Sequence, residues 1–287
     1  MPVVTVLQDD ADTTTVMVEG QMYNFDDRTG FWSPWSISDF VSSGLSIGKI
    51  SLSMNFQMAA KENTLFFQKR QILRLNKPIF TYPQSKYKLH ISHQIEPGEE
   101  GGKSYVWNTV IKDAETHTVL LERAAKLVAA DRSLRKPIEL PKWFRHKYSA
   151  PKVNRLNNLP DGLRSKSVPV EFPNDCFQWR TKIRYSDLDS YMHTHQSVYT
   201  KLCLDAITGA ALCGKLQHFI TDICLYPTEY VDITFIGESV AEDELLIRIL
   251  QNQDDGSILH CLMEKDKKSV AYLKFKIGLT TLSKSKY

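Results

Sequence analysis

Two stretches of the chain carry the same succession of hydrophobic patterns. In the first, residues 13–24 alternate roughly, with Val16, Val18 and, past Gly20, Met22 and Tyr23 on the apolar positions, the period of a half-buried strand. Asp26-Asp27-Arg28-Thr29-Gly30 forms a turn. Ser33-Pro34-Trp35 marks a helix start, since proline in a first turn lacks only an N–H that would be unpaired anyway. The helix is expected over about 35–60, with Gly44 and Gly48 allowing a close approach or a break. Four segments rich in apolar and β-branched residues follow, at 65–80, 86–96, 103–112 and 118–130. Pro97-Gly98-Glu99-Glu100-Gly101-Gly102 and Asp113-Ala114-Glu115-Thr116 punctuate them. The order is strand, long helix, antiparallel meander.

Between 136 and 175 the pattern breaks. Six of the twelve prolines lie there, with Lys, Arg, Asn and Ser between them, the composition of a linker or crossing segment with one short helix near 141–147. The order of the first stretch then recurs. Residues 177–185 alternate as a half-buried strand. A polar turn leads to a helix over about 195–216, whose apolar residues fall on most faces, as in a largely buried helix. Strands follow at 231–235, 244–251, 257–265 and 269–281. The repeat is one of order, not of residues. An antiparallel sheet with one long helix, made twice, is α+β. The expected division is a first unit at 1–135, a Pro-rich linker at 136–175 and a second unit at 176–287.

Composition narrows the class. Apolar residues make up 42% of the 287, and the net charge is only +3, which gives no warrant for nucleic acid or an anionic membrane. The five cysteines are odd in number and form no CxxC pair, so a reduced, intracellular and cytoplasmic chain is expected, with organelle import left open. The first ten residues have neither the basic region nor the apolar run of a secretory signal. No apolar run approaches the ~18–20 residues of a membrane span.

The chemistry concentrates at the junction of strand and helix in the second stretch, Arg184-Tyr185-Ser186-Asp187-Leu188-Asp189-Ser190-Tyr191-Met192-His193-Thr194-His195-Gln196. Two carboxylates and two imidazoles lie within nine residues. Thr194 is the expected N-cap, and the amides after it are orphan donors at the positive end of a helix dipole. Several readings stand side by side. Asp-x-Asp also ends an apolar strand in haloacid-dehalogenase-type phosphatases, but Arg184-Tyr185-Ser186 is polar. Asp187, Asp189, His193 and His195 are chemically able to hold a divalent ion, though no second cluster adds ligands. The aspartates could equally cap the turn, with the histidines as ordinary surface or core residues.

The pattern Tyr-x-Asp-x-Asp, three residues, His, then a helix with an early Tyr resembles the hot-dog fold thioesterases. It is most similar to the 4-hydroxybenzoyl-CoA thioesterase-like and acyl-ACP thioesterase branches. Tyr185, Asp187, Asp189, His193 and Tyr199 take the matching positions. The run from Leu127 to Pro141, with Asp131-Arg132 and Leu140-Pro141, and the run Tyr230-Val231-Asp232-Ile233-Thr234-Phe235-Ile236-Gly237-Glu238 resemble two further stretches of such units. The resemblance implies two tandem hot-dog units, each a sheet wrapped round a central helix, the first without the motif. It implies hydrolysis of an acyl-CoA or acyl-ACP thioester without cofactor or metal, and leaves room for a homodimer. Asp189 would be the catalytic carboxylate, as base for water or as nucleophile. Amides near Thr194, His195 and Gln196 would polarise the carbonyl; His193 would orient the reacting group, with Tyr185, Asp187 and Tyr199 in support. The chain departs from the plant acyl-ACP pattern at Tyr191, where those enzymes carry Asn, and at His195-Gln196, in place of Asn-Asn. Their downstream Glu-Cys pair has no counterpart; Phe235-Ile236 stand nearest. Tyr191 and His195 favour a second expectation, an acyl-binding hot-dog protein without turnover. Dehydratase chemistry would need His193 paired with an acid from the first half, for which the sequence names no candidate.

Trp32 and Trp35 are expected in the core rather than against an acyl chain. Cys203 and Cys213 are expected as core residues rather than nucleophiles. The basic set Arg132, Arg135, Lys136, Lys142, Arg145, His146 and Lys147 is expected as a solvated face.

Overall fold

The computed structural model describes residues 3–9, 13–20, 27–43, 62–82, 87–97, 102–148, 159, 163 and 170–282. The chain divides into two compact units, Met1–Tyr23 with Phe40–Lys166, and Asn24–Asp39 with Ser167–Tyr287. The second unit is therefore discontinuous in sequence.

The first unit's sheet is built from β1 (Val3–Asp9), β2 (Thr13–Gly20), β3 (Thr64–Leu75), β4 (Tyr87–Pro97), β5 (Ser104–Asp113) and β6 (Val119–Asp131). Its order is β1-β2-β4-β5-β6-β3, antiparallel throughout. The meander falls where the apolar, β-branched segments put it. The segment expected at 65–80 is shorter, because Lys77–Thr81 turns as a 3-10 helix around Pro78, a residue with no N–H for a ladder. Strand β1 was not expected. It is exposed along nearly its whole length, so no burial imposed an apolar alternation on it. Across this sheet one row is polar: Thr14, His93, Thr109 and Arg123 stand opposite one another. Arg123 is fully buried; its Nε donates to Gln71 Oε1 at 2.7 Å and its Nη2 to Gln68 Oε1 at 3.0 Å, with the guanidinium over Trp107. Burial, and then the Arg123 charge, push His93 down to about 3, so that imidazole is neutral.

Helix α1 (Pro34–Ser43) starts where proline placed it. Ser33 caps it: its Oγ accepts from Ser36 N at 3.2 Å and its carbonyl from Ile37 N at 3.0 Å. The remainder of the helix expected to residue 60 lies outside the described residues. Helix α2 (Lys142–Lys147) is the short helix expected in the Pro-rich segment.

The second unit contains β7 (Phe177–Lys182), α3 (Gln196–Leu212), β8 (Thr228–Phe235), β9 (Glu244–Gln251), β10 (Ile258–Lys265) and β11 (Lys268–Ile277). Its strand order is β8-β11-β10-β9-β7, antiparallel. Ile249, Cys261, Leu273 and Ile233 form one cross-strand row, each at most 3% exposed. Each such side chain contributes roughly 1.5–3 kcal/mol of burial. Helix α3 meets the core through Tyr199, Cys203, Leu204, Ile207 and Ala210. It is not buried on most faces: Lys201 and Leu212 are exposed, and Asp205 is only half-buried. The 3–4 spacing of the core residues confines them to one broad side. Cys213 is exposed just past the helix, whereas Cys203 lies against Cys261, and burial above all holds its thiol well above the usual range. Trp32 is buried and Trp35 half-buried.

A turn at 27–30 ties the early segment into this unit. Arg28 Nη2 donates to Asp222 Oδ1 at 2.7 Å and to Thr208 Oγ1 at 3.0 Å, and Nη1 donates to Asp205 Oδ1 at 3.0 Å. The bond to Asp222 is the largest cause raising the guanidinium further above its ordinary value. Among the described residues no helix is long and apolar enough to cross a membrane.

Strand β7 is an edge strand and mostly exposed, rather than half-buried as expected. It is held to α3 by Trp179, whose ring occupies the place of a side chain at Gly209: a Cβ there would lie 2.8 Å from Cζ3. Gly209→Ala would raise helix propensity by ~1 kcal/mol in an open helix; here we expect a net loss of about 1–3 kcal/mol. In a Trp179→Ala background the same change is expected to stabilise. Urea denaturation of the four proteins of this cycle checks the reversal of sign.

Candidate active site

The loop joining β7 to α3 is organised by backbone bonds to its own acids. Tyr185–Asp187 forms a 3-10 turn. Asp187 Oδ2 accepts from Arg184 N at 2.9 Å, and the Asp187 carbonyl accepts from His195 N at 2.8 Å. Asp189 Oδ1 accepts from Tyr191 N at 2.8 Å and from His193 N at 3.2 Å. The Asp189 amide donates to the His193 carbonyl at 2.8 Å, and Met192 N to the Asp189 carbonyl at 3.0 Å. This closes a turn in which Met192 takes a φ of 62°, a left-handed conformation that costs a residue with a Cβ about 1–2 kcal/mol. These six hydrogen bonds hold the loop and, with it, the half-buried Asp189 carboxylate.

Thr194 is buried and serves as an anchor. Its amide and its Oγ1 both donate to the Ser239 carbonyl at 2.9 Å, and Oγ1 lies 2.7 Å from Ser239 Oγ. Tyr199 OH lies 2.9 Å from the same Oγ, and burial is the main cause raising its phenol above the usual range. With its hydroxyl committed to Ser239, Thr194 does not cap α3. The N-cap is His195, with extended backbone at φ −61° and ψ 140°.

His195 is placed by a residue from far upstream. Asp39 of α1 sets its Oδ1 3.1 Å from His195 Nδ1 and accepts a 3.0 Å bond from Ser197 Oγ on Oδ2. Ser197 Oγ is itself 2.9 Å from His195 Nδ1. Close contact with the Asp39 carboxylate is the largest cause raising His195 above its ordinary value; charge on Asp39 and Asp189 adds to it, and burial opposes it. His193, by contrast, turns to the loop after β8, with Nε2 3.5 Å from Glu238 Oε2.

The fold therefore gathers Asp187, Asp189, Thr194, His195 and Gln196 at the start of α3, with Tyr199 beneath. Tyr185, 70% exposed, stands outside that group. Among the described residues no three His, Cys, Asp or Glu side chains come together to hold a metal ion. Three participants were missed in the sequence. Ser239 gave no signal, and Glu238 gave one only as the end of the run from Tyr230, with no role attached. Asp39 gave one, as the sole charged residue between Arg28 and Lys49: a lone carboxylate on an otherwise uncharged helix start asks for a partner.

No protein-family model matches the sequence, and no curated protein matches it. Solved structures do match. The 12:0-ACP thioesterase from Umbellularia californica is similar at a TM-score of 0.70 over 92% of this chain and 96% of that one, with 11% identity. A structure described as an oleoyl thioesterase from Lactobacillus plantarum gives 0.70 over 94% and 97%, with 14% identity. An acyl-ACP thioesterase from Bacteroides thetaiotaomicron gives 0.67 over 92% and 97%, again at 14% identity. At these identities the likeness defines the fold: the chain has the α+β fold of the acyl-ACP thioesterases, and the resemblance drawn from the motif holds at that level.

Ser239→Ala removes the oxygen shared by Thr194 and Tyr199 and leaves the buried phenol short of a partner. A loss of about 1–3 kcal/mol in unfolding free energy is expected, measured by chemical denaturation.

Proposed function

We propose that the protein hydrolyses the thioester of an acyl-CoA or an acyl-carrier protein to free acid and thiol at the N-terminus of α3. The observation that carries this is a fixed carboxylate, Asp189, beside a helix start whose cap, His195, is biased toward the imidazolium. Carboxylate and cation near one electrophilic carbon are what water addition to a carbonyl needs.

In the proposed reaction Asp189 Oδ1 stays with its two amides, and Oδ2 takes a proton from water as the water oxygen bonds to the thioester carbon. The carbonyl electron pair moves onto oxygen and is met by His195 Nε2–H and the positive end of α3. When that pair returns, the C–S bond breaks and the thiolate recovers the proton from Asp189. His193, braced by Glu238, and Gln196, at the first position of the helix, orient the substrate. Asp187 and Tyr199 act in support through the loop and the helix base, and Tyr185 at the exposed rim. The amides of Thr194 and His195 already serve the carbonyls of Ser239 and Asp187, so in this reading the imidazolium, rather than those amides, carries most of the oxyanion charge.

The same reading takes the chain as two hot-dog units in tandem, the first without the motif and joined by the Pro-rich segment at 136–175. Residues 24–39 of the first copy are contributed to the second. The free cysteines agree with a reduced, cytoplasmic setting. The employment of those two amides within the loop favours one alternative, an acyl-thioester-binding protein without turnover.

Asp189→Asn keeps both backbone bonds to Oδ1 but removes the base. We expect acyl-CoA and acyl-ACP hydrolysis to fall by at least ~100-fold, followed by thiol release over a panel of chain lengths. Equal activity in the variant would sink the assignment, and recovery of an intact bound thioester from wild type would favour the binding protein.

A further inference from the structure

We infer that Asp39 is a positioning residue for His195: it fixes the imidazole with the Nδ1 proton turned inward and leaves Nε2 as the ring atom that meets the thioester. The inference rests on the hydrolase reading above and assigns a role to a carboxylate about 150 residues away from the motif in sequence.

The proton inventory of the cluster decides the tautomer. Ser197 Oγ has one hydrogen, and the 3.0 Å bond to Asp39 Oδ2 takes it, since a carboxylate can only accept. Toward His195 Nδ1, 2.9 Å away, the serine therefore offers a lone pair. Asp39 Oδ1, 3.1 Å away and closed off from water, makes no aligned hydrogen bond but sets its negative charge against the same nitrogen. Nδ1 faces an accepting oxygen and a carboxylate charge, and must carry the hydrogen. The competing arrangement has Nδ1 unprotonated and accepting from Ser197 N–H. It spans 3.4 Å and would set a nitrogen lone pair against an ionised carboxylate, which costs more than that long bond returns. The cluster is not a nucleophilic triad. In a triad the ring bridges serine and carboxylate through different nitrogens, whereas here both lie at Nδ1, and Ser197 is 4% exposed.

Two carboxylates act on the ring, Asp39 from α1 and Asp189 from the preceding loop; both favour the imidazolium, and burial opposes it. Glu238 pairs with His193 instead. The imidazolium is thus held between one acid that orients it and one that acts as base. Its loss as pH rises must end the oxyanion stabilisation, and without Asp39 that loss must come at lower pH.

The test uses the full-length chain. His195 is followed by NMR in protein labelled at the histidine ring, assigned with His195→Gln, and kcat/KM for an acyl-CoA is measured across pH. Asp39→Asn preserves shape and can still accept from Nδ1 but lacks charge. It is expected to move both the His195 midpoint and the alkaline limb of kcat/KM to lower pH, by about one unit. That is about a tenfold loss of kcat/KM above the wild-type midpoint. Asp39→Glu, which keeps the charge, is expected to restore both. An unmoved His195 midpoint in Asp39→Asn, or a moved midpoint with an unmoved alkaline limb, overturns the inference. Should Asp39→Asn not fold, Asp39→Glu against wild type at several ionic strengths carries the comparison: a wild-type midpoint that salt does not lower overturns it. A wild-type chain that releases no thiol from any acyl thioester overturns the hydrolase reading instead, and the NMR midpoint then still decides whether Asp39 governs His195.

Discussion

A helix that begins against a packed sheet has to find partners for the amides of its entry, and nearly every feature of the candidate site answers that demand. The amide of Thr194 goes to Ser239, that of His195 to Asp187, and those of Tyr191 and His193 to the Asp189 carboxylate. Unpaired, each would cost a few kcal/mol in a buried setting. The acids of the motif are therefore structural before they are chemical: they close the loop that delivers the chain into α3. A carboxylate already held by two amides needs no reorganisation to act on water. The same bonds that make Asp189 look like a turn former make it a rigid base.

The electrostatics of the site follow from where the cap lies. With Thr194 withdrawn into the Ser239 contact, the capping position passes to an imidazole, a group able to carry positive charge at the positive end of a helix. Left alone that would be unfavourable. Asp39 and Asp189 reverse the balance. Charge at the start of α3 is thus set by a residue on another helix, and Arg28 keeps that early segment in place through Asp205, Thr208 and Asp222.

Much of this was legible in the sequence, for identifiable reasons. Strands β3 to β6 announced themselves as runs rich in apolar and β-branched residues. Strand β1, exposed on both faces, could not. Helix α3 was visible as an apolar run, but its exposed stripe was masked by Leu212, an apolar residue that is 66% exposed. The motif could be placed because its residues are neighbours along the chain. Asp39 and Ser239 are neighbours only in space, and a sequence displays no such proximity. The N-cap was assigned to the wrong residue for the same cause: threonine is the better cap in isolation, and only the distant Ser239 explains why it is not used.

The discontinuity of the second unit bears on how the protein is made. Residues 24–39 leave the ribosome long before residue 167, and their partners Asp205, Thr208, Asp222 and His195 come later still. Domains generally fold as they are synthesised, N-terminal first. Here that segment has to wait for those partners while the whole intervening stretch is translated, and a C-terminal fragment starting at the linker would never receive it. The two units are thus bound by the order of synthesis: the later one is completed by a segment made before most of the earlier one.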